Sequence, residues 1–334
     1  MNRVNNLYIQ VSDYENICLA FIKAAKGKQN SKAVAAFKRS FDENIAKLQI
    51  QIRQQTLEVG EYHFFHIWDP KPRFICAAKF PERILHHAIM NICEPVLERY
   101  AIDDSYACRK YKGSRKAIDR AQQFARRFKW FLKLDIKKYF DSIDHAISLH
   151  LLNKRIKDKQ ILDLFSQILK TYHTRQGKGL PIGNLISQHL ANFYLGYYDH
   201  WIKENRRIKG YLRYMDDFVL FGDHRSFLKN ELAETQFFLN KELALEIKPN
   251  IQLNRCTHGI PFLGYRVFPN KILLSPRSKQ RFHKKFRAYE AKWKTGRWTM
   301  DQLIAHMEPL IDFTRVAQAK EFRKTIIHRF GVSS

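Results

Sequence analysis

Apolar residues recur every three or four positions in several stretches of the chain, which is the spacing of a helix with one buried face. The clearest stripe consists of Val34, Phe37, Phe41, Ile45, Leu48 and Ile52. It predicts one continuous helix. Ser12 and Glu15 have the spacing of a capping box and predict a helix that begins there. Further helices are predicted over residues 81–100, 158–171, 185–204 and 226–245, and over the last sixty residues with a break at Thr295-Gly296.

Three other stretches concentrate aromatic and β-branched residues, which favour strands. The first begins after Gly60, and its Asp69-Pro70-Lys71-Pro72 sequence predicts a turn between two short strands. The second runs from Trp130 to Ile136 and ends in a polar tip. The third, residues 211–221, has two apolar segments around Asp216-Asp217 and predicts a β-hairpin with two carboxylates at its tip.

Charge narrows the choice of partner. Lys and Arg number 59 against 32 Asp and Glu, a formal charge of +27, which predicts a polyanionic partner, nucleic acid ahead of an anionic membrane. No run of about 20 mostly apolar residues is present to span a membrane, and the N-terminus has no apolar signal core. We therefore expect a cytoplasmic protein. The five cysteines are far apart without a C-x-x-C pair, so we expect core thiols.

Acidic residues are the scarce class, so a cluster of them beside apolar strands is informative. Asp216-Asp217 lies between Tyr214 and Phe218, where burial would raise a carboxyl pKa unless a cation compensated. Mg²⁺ is such a cation, since it takes one or two carboxylates plus substrate phosphates. A solvent-exposed Asp-Asp turn is the alternative. Asp135 ends a second apolar strand, and if the two strands are neighbours, three carboxylates converge and support two metals about 4 Å apart.

These residues resemble a known family. Tyr214-Met215-Asp216-Asp217 resembles the Tyr-x-Asp-Asp box of reverse transcriptases, and residues 133–141 resemble their first palm motif. Further matches follow in the family's order, at residues 71–75, 105–109, 180–188, 243–247 and 262–265. The resemblance covers about residues 61–334. Ile182-Gly183 with Ser187-Gln188 is similar to the reverse transcriptases of diversity-generating retroelements, bacterial enzymes of the group II intron-like superfamily.

The resemblance implies an α+β fold with the right-hand arrangement of a polymerase. Its parts would be an N-terminal helical extension (1–60), fingers (61–130), a palm with an antiparallel sheet (131–268, with a fingers insertion around 153–180) and a helical thumb (269–334). Two Mg²⁺ ions, replaceable by Mn²⁺, would be the cofactors. The implied partners are a structured non-coding template RNA, the RNA/cDNA duplex, deoxynucleotides and a small basic accessory protein oligomer, in a bacterial or phage-encoded system without a membrane.

The resemblance also assigns roles to residues of the site. The catalytic carboxylates would be Asp135, Asp216 and Asp217, which bind the metals together with the carbonyl of Ile136. Nucleotide binding would fall to Lys71, Arg73, Phe140, Ile182 and Gly183. Lys71 and Arg73 would neutralise the triphosphate, and the ring of Phe140 would exclude a 2′-hydroxyl.

Other roles concern fidelity, proton transfer and the nucleic-acid backbone. Ile182, with Gln188 and Arg109, would influence template and fidelity; most relatives have Gln at position 182, so we expect low fidelity. The proton-donating Lys of relatives is replaced here by Ile251, with Lys248 only a neighbour. The residues expected to grip the backbone are Arg277, Lys279, Arg281, Lys284, Lys285 and Arg287. Aromatic residues are interleaved with these cations, and most of them are expected to form the apolar stripe of a helical bundle: Phe282, Phe286, Tyr289, Trp293 and Trp298.

Three functions remain open from the sequence. The first is an RNA-directed DNA polymerase that copies a dedicated non-coding RNA into cDNA at low fidelity, as in diversity-generating retroelements. The second is a defence-associated bacterial reverse transcriptase whose cDNA acts against phage. The third, of another class, is a non-catalytic RNA-binding or splicing-helper protein on the same scaffold.

Overall fold

The computed structural model describes residues 3–68 and 72–331. The helices are α1 (Leu7–Val11), α2 (Tyr14–Ala25), α3 (Lys32–Arg39), α4 (Phe41–Arg53), α5 (Phe80–Tyr100), α6 (Ser114–Arg127), α7 (Tyr139–Ser142), α8 (His145–Asn153), α9 (Lys159–Lys170), α10 (Leu185–His200), α11 (Arg225–Leu243), α12 (Pro276–Lys294), α13 (Met300–Arg315) and α14 (Lys320–Phe330). The strands are β1 (Tyr62–Trp68), β2 (Pro72–Ala78), β3 (Trp130–Asp135), β4 (Gly210–Tyr214), β5 (Asp217–Gly222), β6 (Gln252–Arg255), β7 (Ile260–Phe262), β8 (Tyr265–Val267) and β9 (Ile272–Leu274).

The chain folds into two compact units, each assembled from three separate segments. Unit 1 comprises the chain up to Arg109, Asp135–Arg207 and Glu234–Lys248. Unit 2 comprises Lys110–Leu134, Ile208–Ala233 and the chain from Pro249 onward. Helices and mainly antiparallel strands occur together, which confirms the α+β class.

The N-terminal helices of unit 1 correct two details of the sequence prediction. The single helix predicted from Val34 onward is two helices, because Ser40 has a non-helical backbone and ends α3 before α4 begins. The apolar stripe continues across this break because Phe37 and Phe41 both pack on Phe21. The cap of α2 is Asp13, whose carboxylate accepts hydrogen bonds from two first-turn amides, so the predicted capping box does not form.

Unit 1 is built around the long helix α5, with α1, α2 and α10 packed against it. Buried residues of α2 and α5 form the shared core of these two helices: Ile17, Ala20, Ala24, Ile84, Leu85 and Ala88. Strands β1 and β2 form the predicted antiparallel hairpin, in which Tyr62 pairs with Ala78 and Trp68 with Pro72. This hairpin precedes α5 and presents most of its side chains to solvent.

Unit 2 contains a four-stranded sheet in the order β4-β5-β3-β6. The two carboxylate-bearing strands, β3 and β5, are therefore neighbours, as predicted. Helix α6 covers β4, with Phe124 against Phe221 of β5. Helix α6 was not predicted from the sequence, although the buried residues Ala117, Ile118 and Ala121 of this helix have helical spacing.

The C-terminal part of unit 2 combines a small sheet, in the order β7-β8-β9, with the helices α12, α13 and α14. The core of the three helices consists of Phe282, Phe286, Leu303, Met307 and Ile326. Tyr289 and Trp293 pack on this core, which confirms that the aromatic residues of α12 form the apolar stripe of a helical bundle. The predicted break at Thr295-Gly296 separates α12 from α13.

None of the helices in the described ranges has both the length and the apolar character needed to cross a bilayer.

Candidate functional site

The tip of the β4–β5 hairpin carries the Asp216-Asp217 pair. Tyr214 pairs with Asp217, which leaves Met215 and Asp216 as a two-residue turn. Met215 has a left-handed backbone, with φ of 57°, as tight hairpins require. Arg213 is fully buried and donates a hydrogen bond from Nη1 to the carbonyl oxygen of Met215 at 3.0 Å. Arg213 therefore fixes the turn from inside, a role that sequence reasoning missed.

A lysine of the neighbouring strand contacts the second carboxylate of the pair. Lys133 Nζ lies 2.6 Å from Asp217 Oδ1, and the two side chains are only 14% and 22% exposed. In β3, Leu132 and Leu134 are buried while Lys133 and Asp135 are partly exposed. Alternation along a strand therefore puts Lys133 and Asp135 on one face of β3. A lysine in the otherwise apolar run that precedes Asp135 is the signal that could have identified it.

Asp135, the last residue of β3, belongs to unit 1, and the segment of the same unit that follows α11 holds it. The amide of Lys248 donates to the carbonyl oxygen of Asp135 at 2.8 Å, and Lys248 Nζ lies 2.6 Å from Asp135 Oδ1. Ile136, which is buried, forms an antiparallel bridge with Ile247. This pair is more exposed than the first, at 41% for Lys248 and 34% for Asp135. Lys248 thus contacts a predicted catalytic carboxylate directly.

Main-chain hydrogen bonds within unit 1 connect the segments that carry three of the predicted nucleotide-binding residues, Phe140, Ile182 and Gly183. The amide of Leu180 donates to the carbonyl oxygen of Phe140 at 2.8 Å. Two residues later, the carbonyl oxygen of Ile182 accepts a hydrogen bond from the amide of Cys76 in β2, also at 2.8 Å. We call residues 180–184 the connecting loop, since it joins the segment after β3 to the β1–β2 hairpin. The loop leaves Ile182 and Phe140 partly exposed.

At Gly183 the connecting loop packs closely against β2. Its φ is +114°, a value that residues with a side chain rarely adopt. A Cβ atom there would meet Ile75 Cγ2 at 2.7 Å and the carbonyl oxygen of Cys76 at 3.2 Å. Only glycine fits this position without displacement of β2.

The other predicted residues of the site lie in different surroundings. Arg73 is exposed on β2, opposite Ile67 of β1. Lys71 lies outside the described residues. Gln188 is exposed at the start of α10, and the thiol of Cys108 contacts its Oε1 at 3.6 Å.

Arg109, predicted to influence the template, lies in a network of hydrogen bonds. Its Nε contacts both oxygens of Glu98 at 2.8 and 2.9 Å, and Nη1 donates to the carbonyl oxygen of Ser105 at 2.7 Å. Its side chain is 7% exposed. These contacts fasten the segment after α5 to the end of that helix, and they occupy much of the donor capacity of the guanidinium group.

The predicted backbone-gripping residues lie on α12, outside its buried core. Arg277, Lys279, Lys284 and Arg287 are exposed, while Arg281 and Lys285 are half-buried. Several of these cations lie over aromatic rings of the bundle: Lys279 over Phe322, Arg281 over Phe313 and Arg287 over Phe330, at 5.8, 5.3 and 5.0 Å. The aromatic rings thus position the cations that face solvent.

The predicted metal site depends on carboxylate oxygens as donors. No group of three or more His, Cys, Asp or Glu side chains in residues 3–68 and 72–331 is arranged to hold a metal ion. Mg²⁺ needs fewer protein ligands, since one or two carboxylates suffice when substrate phosphates complete the shell. Asp135 and Asp217 each contact a lysine ammonium group at 2.6 Å. Carboxylate oxygens are hard donors of the type that Mg²⁺ and Mn²⁺ bind, so the chemistry of the predicted ligands fits either ion.

Comparisons with known proteins agree with the motifs. The family described as "Reverse transcriptase (RNA-dependent DNA polymerase)" matches residues 69–267. Group II intron-encoded protein LtrA of Lactococcus lactis is 30% identical over 130 residues, which are 37% of this chain and 22% of LtrA. Protein YkfC of Escherichia coli is 24% identical over 277 residues, 66% of this chain and 71% of YkfC. The chain therefore spans about a fifth of LtrA.

The fold of the chain also resembles that of a solved protein structure. A solved structure of apo telomerase from Candida tropicalis is similar, with a TM-score of 0.52 and 11% sequence identity. The match covers 81% of this chain and 59% of the telomerase chain. At this identity the similarity concerns the fold alone, and it agrees with the mixed α+β architecture.

Proposed function

The chain belongs to the reverse transcriptase (RNA-dependent DNA polymerase) family, and we propose that it copies a dedicated non-coding RNA into cDNA. The observation that carries this proposal is the β4–β5 hairpin. Its tip holds Asp216 and its second strand begins at Asp217, next in the sheet to β3, the strand that ends at Asp135. Carboxylates that lie at the ends of neighbouring strands could hold the two metal ions of an in-line phosphoryl transfer.

In the proposed reaction the 3′-hydroxyl of a primer attacks the α-phosphate of a deoxynucleotide, and pyrophosphate leaves. When bound, two Mg²⁺ ions supply the positive charge that the developing charge on the phosphate requires. Asp135 and Asp216 would hold them, with the carbonyl of Ile136 as a further ligand and Asp217 in support. Arg213 keeps the hairpin turn in place through the carbonyl of Met215. Lys248 contacts the Asp135 carboxylate, so it is the lysine best placed to compensate a change of charge at that carboxylate.

The nucleotide-binding roles rest on the frame around the connecting loop. Arg73 is exposed on β2. It suits a triphosphate because a guanidinium group can bind two phosphate oxygens at once. Lys71 is proposed as its partner. Phe140 would lie under the ribose and exclude a 2′-hydroxyl, since its main chain is anchored to Leu180 and its ring is partly exposed.

Low fidelity, as in diversity-generating retroelements, is proposed from position 182. The carbonyl oxygen of Ile182 is engaged by β2, so its side chain is what remains to face a nucleotide, and an aliphatic chain makes no hydrogen bond there. Ile182→Gln should reduce misincorporation, above all opposite adenines, when cDNA is sequenced. The neighbouring Ile186→Gln is not a control because Ile186 is buried. Ile50→Gln is the control, since it makes the same exchange at an exposed isoleucine of α4. An unchanged error rate for Ile182→Gln would contradict the proposal.

Primer extension tests the function itself. With Mg²⁺, deoxynucleotides and a primed RNA template, the wild-type chain should incorporate nucleotides, and Asp216→Asn plus Asp217→Asn should abolish synthesis. RNA affinity should stay within about twofold, since the carboxylates do not grip the backbone. An exposed pair on α13 and α14, Asp312→Asn plus Glu321→Asn, serves as the control for the loss of two charges. No incorporation on any RNA template by the wild-type chain would refute the polymerase.

A helper function is the second candidate, because the relatives include a protein named "Nuclear intron maturase 1, mitochondrial" from Arabidopsis thaliana, 26% identical over 91 residues. Tight RNA binding without nucleotide incorporation would favour it. Sequencing the RNA that copurifies with the chain would identify the template and distinguish diversification from phage defence. The same proposal includes the division of the chain into extension, fingers, palm and thumb, and a basic accessory protein as partner. It also includes a location in a bacterial cytoplasm, for which the Escherichia coli relative is the support.

A further inference from the structure

The β1–β2 hairpin has two faces, and the predicted nucleotide chemistry uses one of them. Side chains alternate between the faces along each strand, and residues paired directly across the hairpin share a face. Arg73, the predicted triphosphate ligand, therefore lies on the face of Ile75, which packs against Gly183 of the connecting loop. The opposite face carries four rings, which we call the aromatic face: Phe64, His66, Trp68 and Phe74.

The aromatic face begins where the packing of the hairpin against the rest of unit 1 ends. At the base of the hairpin, the hydroxyl group of Tyr62 lies 2.6 Å from Oγ1 of Thr171, which directly follows α9, and Cys76 is buried. Further out, Phe64 is 47% exposed and Trp68 is 77% exposed. Large apolar rings thus face solvent on this side of the hairpin.

The rings of the aromatic face support one another. Phe64 and Phe74 stack across the two strands, with ring centroids 5.2 Å apart and 10° between the ring planes. His66 lies 5.1 Å from Phe74, and Trp68 is the next residue on this face toward the tip. Because three of the rings already contact one another, their positions are largely set before a ligand arrives, which lowers the entropic cost of binding.

The size of the aromatic face indicates what it binds. A whole aromatic side chain offers about 150–250 Å², so the exposed parts of Phe64, Phe74 and Trp68 amount to roughly 400 Å². A stable protein partner covers about 800 Å² on each side of an interface. The face is therefore small for a protein, but it suits a few flat rings, and nucleobases stack on aromatic side chains whatever their sequence.

Charge around the aromatic face also favours nucleic acid. Strands β1 and β2 contain no acidic residue, and Arg73 is their one Lys or Arg. Lys170 is exposed at the end of α9, one residue before the Thr171 that contacts Tyr62 at the base of this face. A strand of unpaired nucleotides presents bases to the rings and phosphates to such cations.

We propose that the aromatic face binds a short unpaired stretch of RNA by stacking of its bases, on the side of the hairpin away from the predicted nucleotide site. Double-stranded RNA does not bind there, because its bases are already stacked on one another. The binding goes beyond the proposed polymerase function and needs neither a metal ion nor a deoxynucleotide. It gives a role to four exposed rings that the catalytic site does not use.

Binding of RNA to the full chain tests the proposal, with a labelled oligoadenylate and a blunt RNA duplex as probes in fluorescence anisotropy. Trp68→Leu removes the ring but keeps an apolar side chain, so it should weaken binding of the oligoadenylate about 5-fold or more. Binding of the duplex should change by less than about twofold, since it has no free base to stack. Trp68→Phe keeps a ring and should retain most of the affinity for the oligoadenylate.

Phe237→Leu is the matched control, since Phe237 is 65% exposed on α11 and lies outside the aromatic face. It should leave the affinity for both probes unchanged. Equal affinity of the wild-type chain and Trp68→Leu for the oligoadenylate would refute the proposal, and so would an equal loss for Trp68→Leu and Phe237→Leu.

A salt series separates stacking from attraction between charges. Stacking is not ionic, so the factor lost in Trp68→Leu should be the same at low and at high salt, and the slope of log affinity against log salt should not change. Phe64→Leu plus Phe74→Leu should behave in the same way and repeats the test at the other rings. A loss that disappears at high salt would show that the rings act on charge and would overturn stacking.

Cross-linking tests the wild-type chain without any substitution. An unpaired RNA that contains thiouridine is irradiated on the protein, and mass spectrometry identifies the modified peptide, which we expect to contain β1 or β2. Cross-links confined to other segments would contradict the proposal.

A second copy of the chain is the competing occupant of the aromatic face. Sedimentation without RNA tests it, because a wild-type dimer that Trp68→Leu dissociates would show that another chain covers the rings, and the proposal would fail. Melting temperatures accompany each variant, and Trp68→Leu should stay within about 3 °C of the wild-type chain, since it changes an exposed side chain. No assay here contains deoxynucleotides, so a failed primer extension would refute the polymerase and leave the aromatic face as an RNA-binding surface.

Discussion

The connecting loop of unit 1 and helix α12 of unit 2 are both expected to serve nucleic-acid chemistry, yet they are specified in opposite ways. The loop is fixed by main-chain hydrogen bonds, Leu180 to Phe140 and Cys76 to Ile182, and by a glycine with no room for a side chain. Helix α12 is fixed by an apolar stripe, and its exposed cations depend on no particular backbone geometry. The loop should therefore be sensitive to one substitution, and the helix only to several together.

Gly183→Ala should have the largest effect. The new methyl group would overlap Ile75 Cγ2 and crowd the carbonyl of Cys76, and the positive φ adds strain of about 1–3 kcal/mol. Since β2 must move, we expect primer extension to fall about 100-fold, with a lower melting temperature.

Gly177→Ala is the matched control for Gly183→Ala. Gly177 lies in the same unit and also has a positive φ, +70°, but a Cβ atom there meets nothing within 4 Å. It should share the backbone strain and lose little activity. Similar activity in the two variants would show that contact with β2 does not matter, and the contrast between loop and helix would fail.

The second prediction concerns the exposed cations of α12. Replacing Arg277, Lys279, Lys284 and Arg287 together with Gln should weaken binding to an RNA/DNA duplex and reduce its salt dependence. Each phosphate that is no longer neutralised by a side chain lowers the slope of log affinity against log salt by roughly 0.7–0.9, so four should lower it by about 3. Fluorescence anisotropy over a salt series measures this slope.

The pairs within this set make the prediction sharper. Arg277 with Lys279, and Lys284 with Arg287, should each account for about half of the change in slope, because the cations act independently. Arg225→Gln plus Lys229→Gln, exposed on α11, controls for the loss of two positive charges. A single position that removed most of the slope would mean that the helix, like the loop, depends on one residue.

The same contrast explains what the sequence could predict. The aromatic stripe of α12 and the hairpin around Asp216-Asp217 follow from periodicity and turn chemistry, so both were predicted correctly. The break at Ser40 was not, because the apolar stripe around Phe37 and Phe41 continues across it. The cap at Asp13 was assigned to Ser12, since both residues are strong caps and only the backbone decides between them.

Contacts between distant segments were beyond reach of these patterns. Lys133 and Asp217 are 84 positions apart, and their contact depends on β3 being placed next to β5. The fully buried Arg213 also escaped notice, since an arginine in a strand predicts exposure. Motif resemblance identified the carboxylates, but it did not identify the lysines that hold two of them.

The smallest predicted effect tests whether α12 tolerates change even at its one acidic position. Glu290 is 7% exposed, and its Oε2 atom is buried without a hydrogen-bond partner among the described residues. Burial raises the pKa of this carboxyl group, and Lys294 offsets only part of the shift. The native state thus binds the proton more tightly than the unfolded chain, so this group's contribution to stability falls as pH rises through the raised pKa.

Glu290→Gln removes the buried charge and should raise the melting temperature by roughly 2–4 °C at pH 7–8. The gain should shrink as pH falls below the raised pKa, because Glu290 then loses its charge in the native state. Glu321→Gln, exposed on α14, should show no such gain. A lower melting temperature for Glu290→Gln at every pH would mean that the carboxylate stabilises the bundle, and α12 would then depend on a single residue as the loop does.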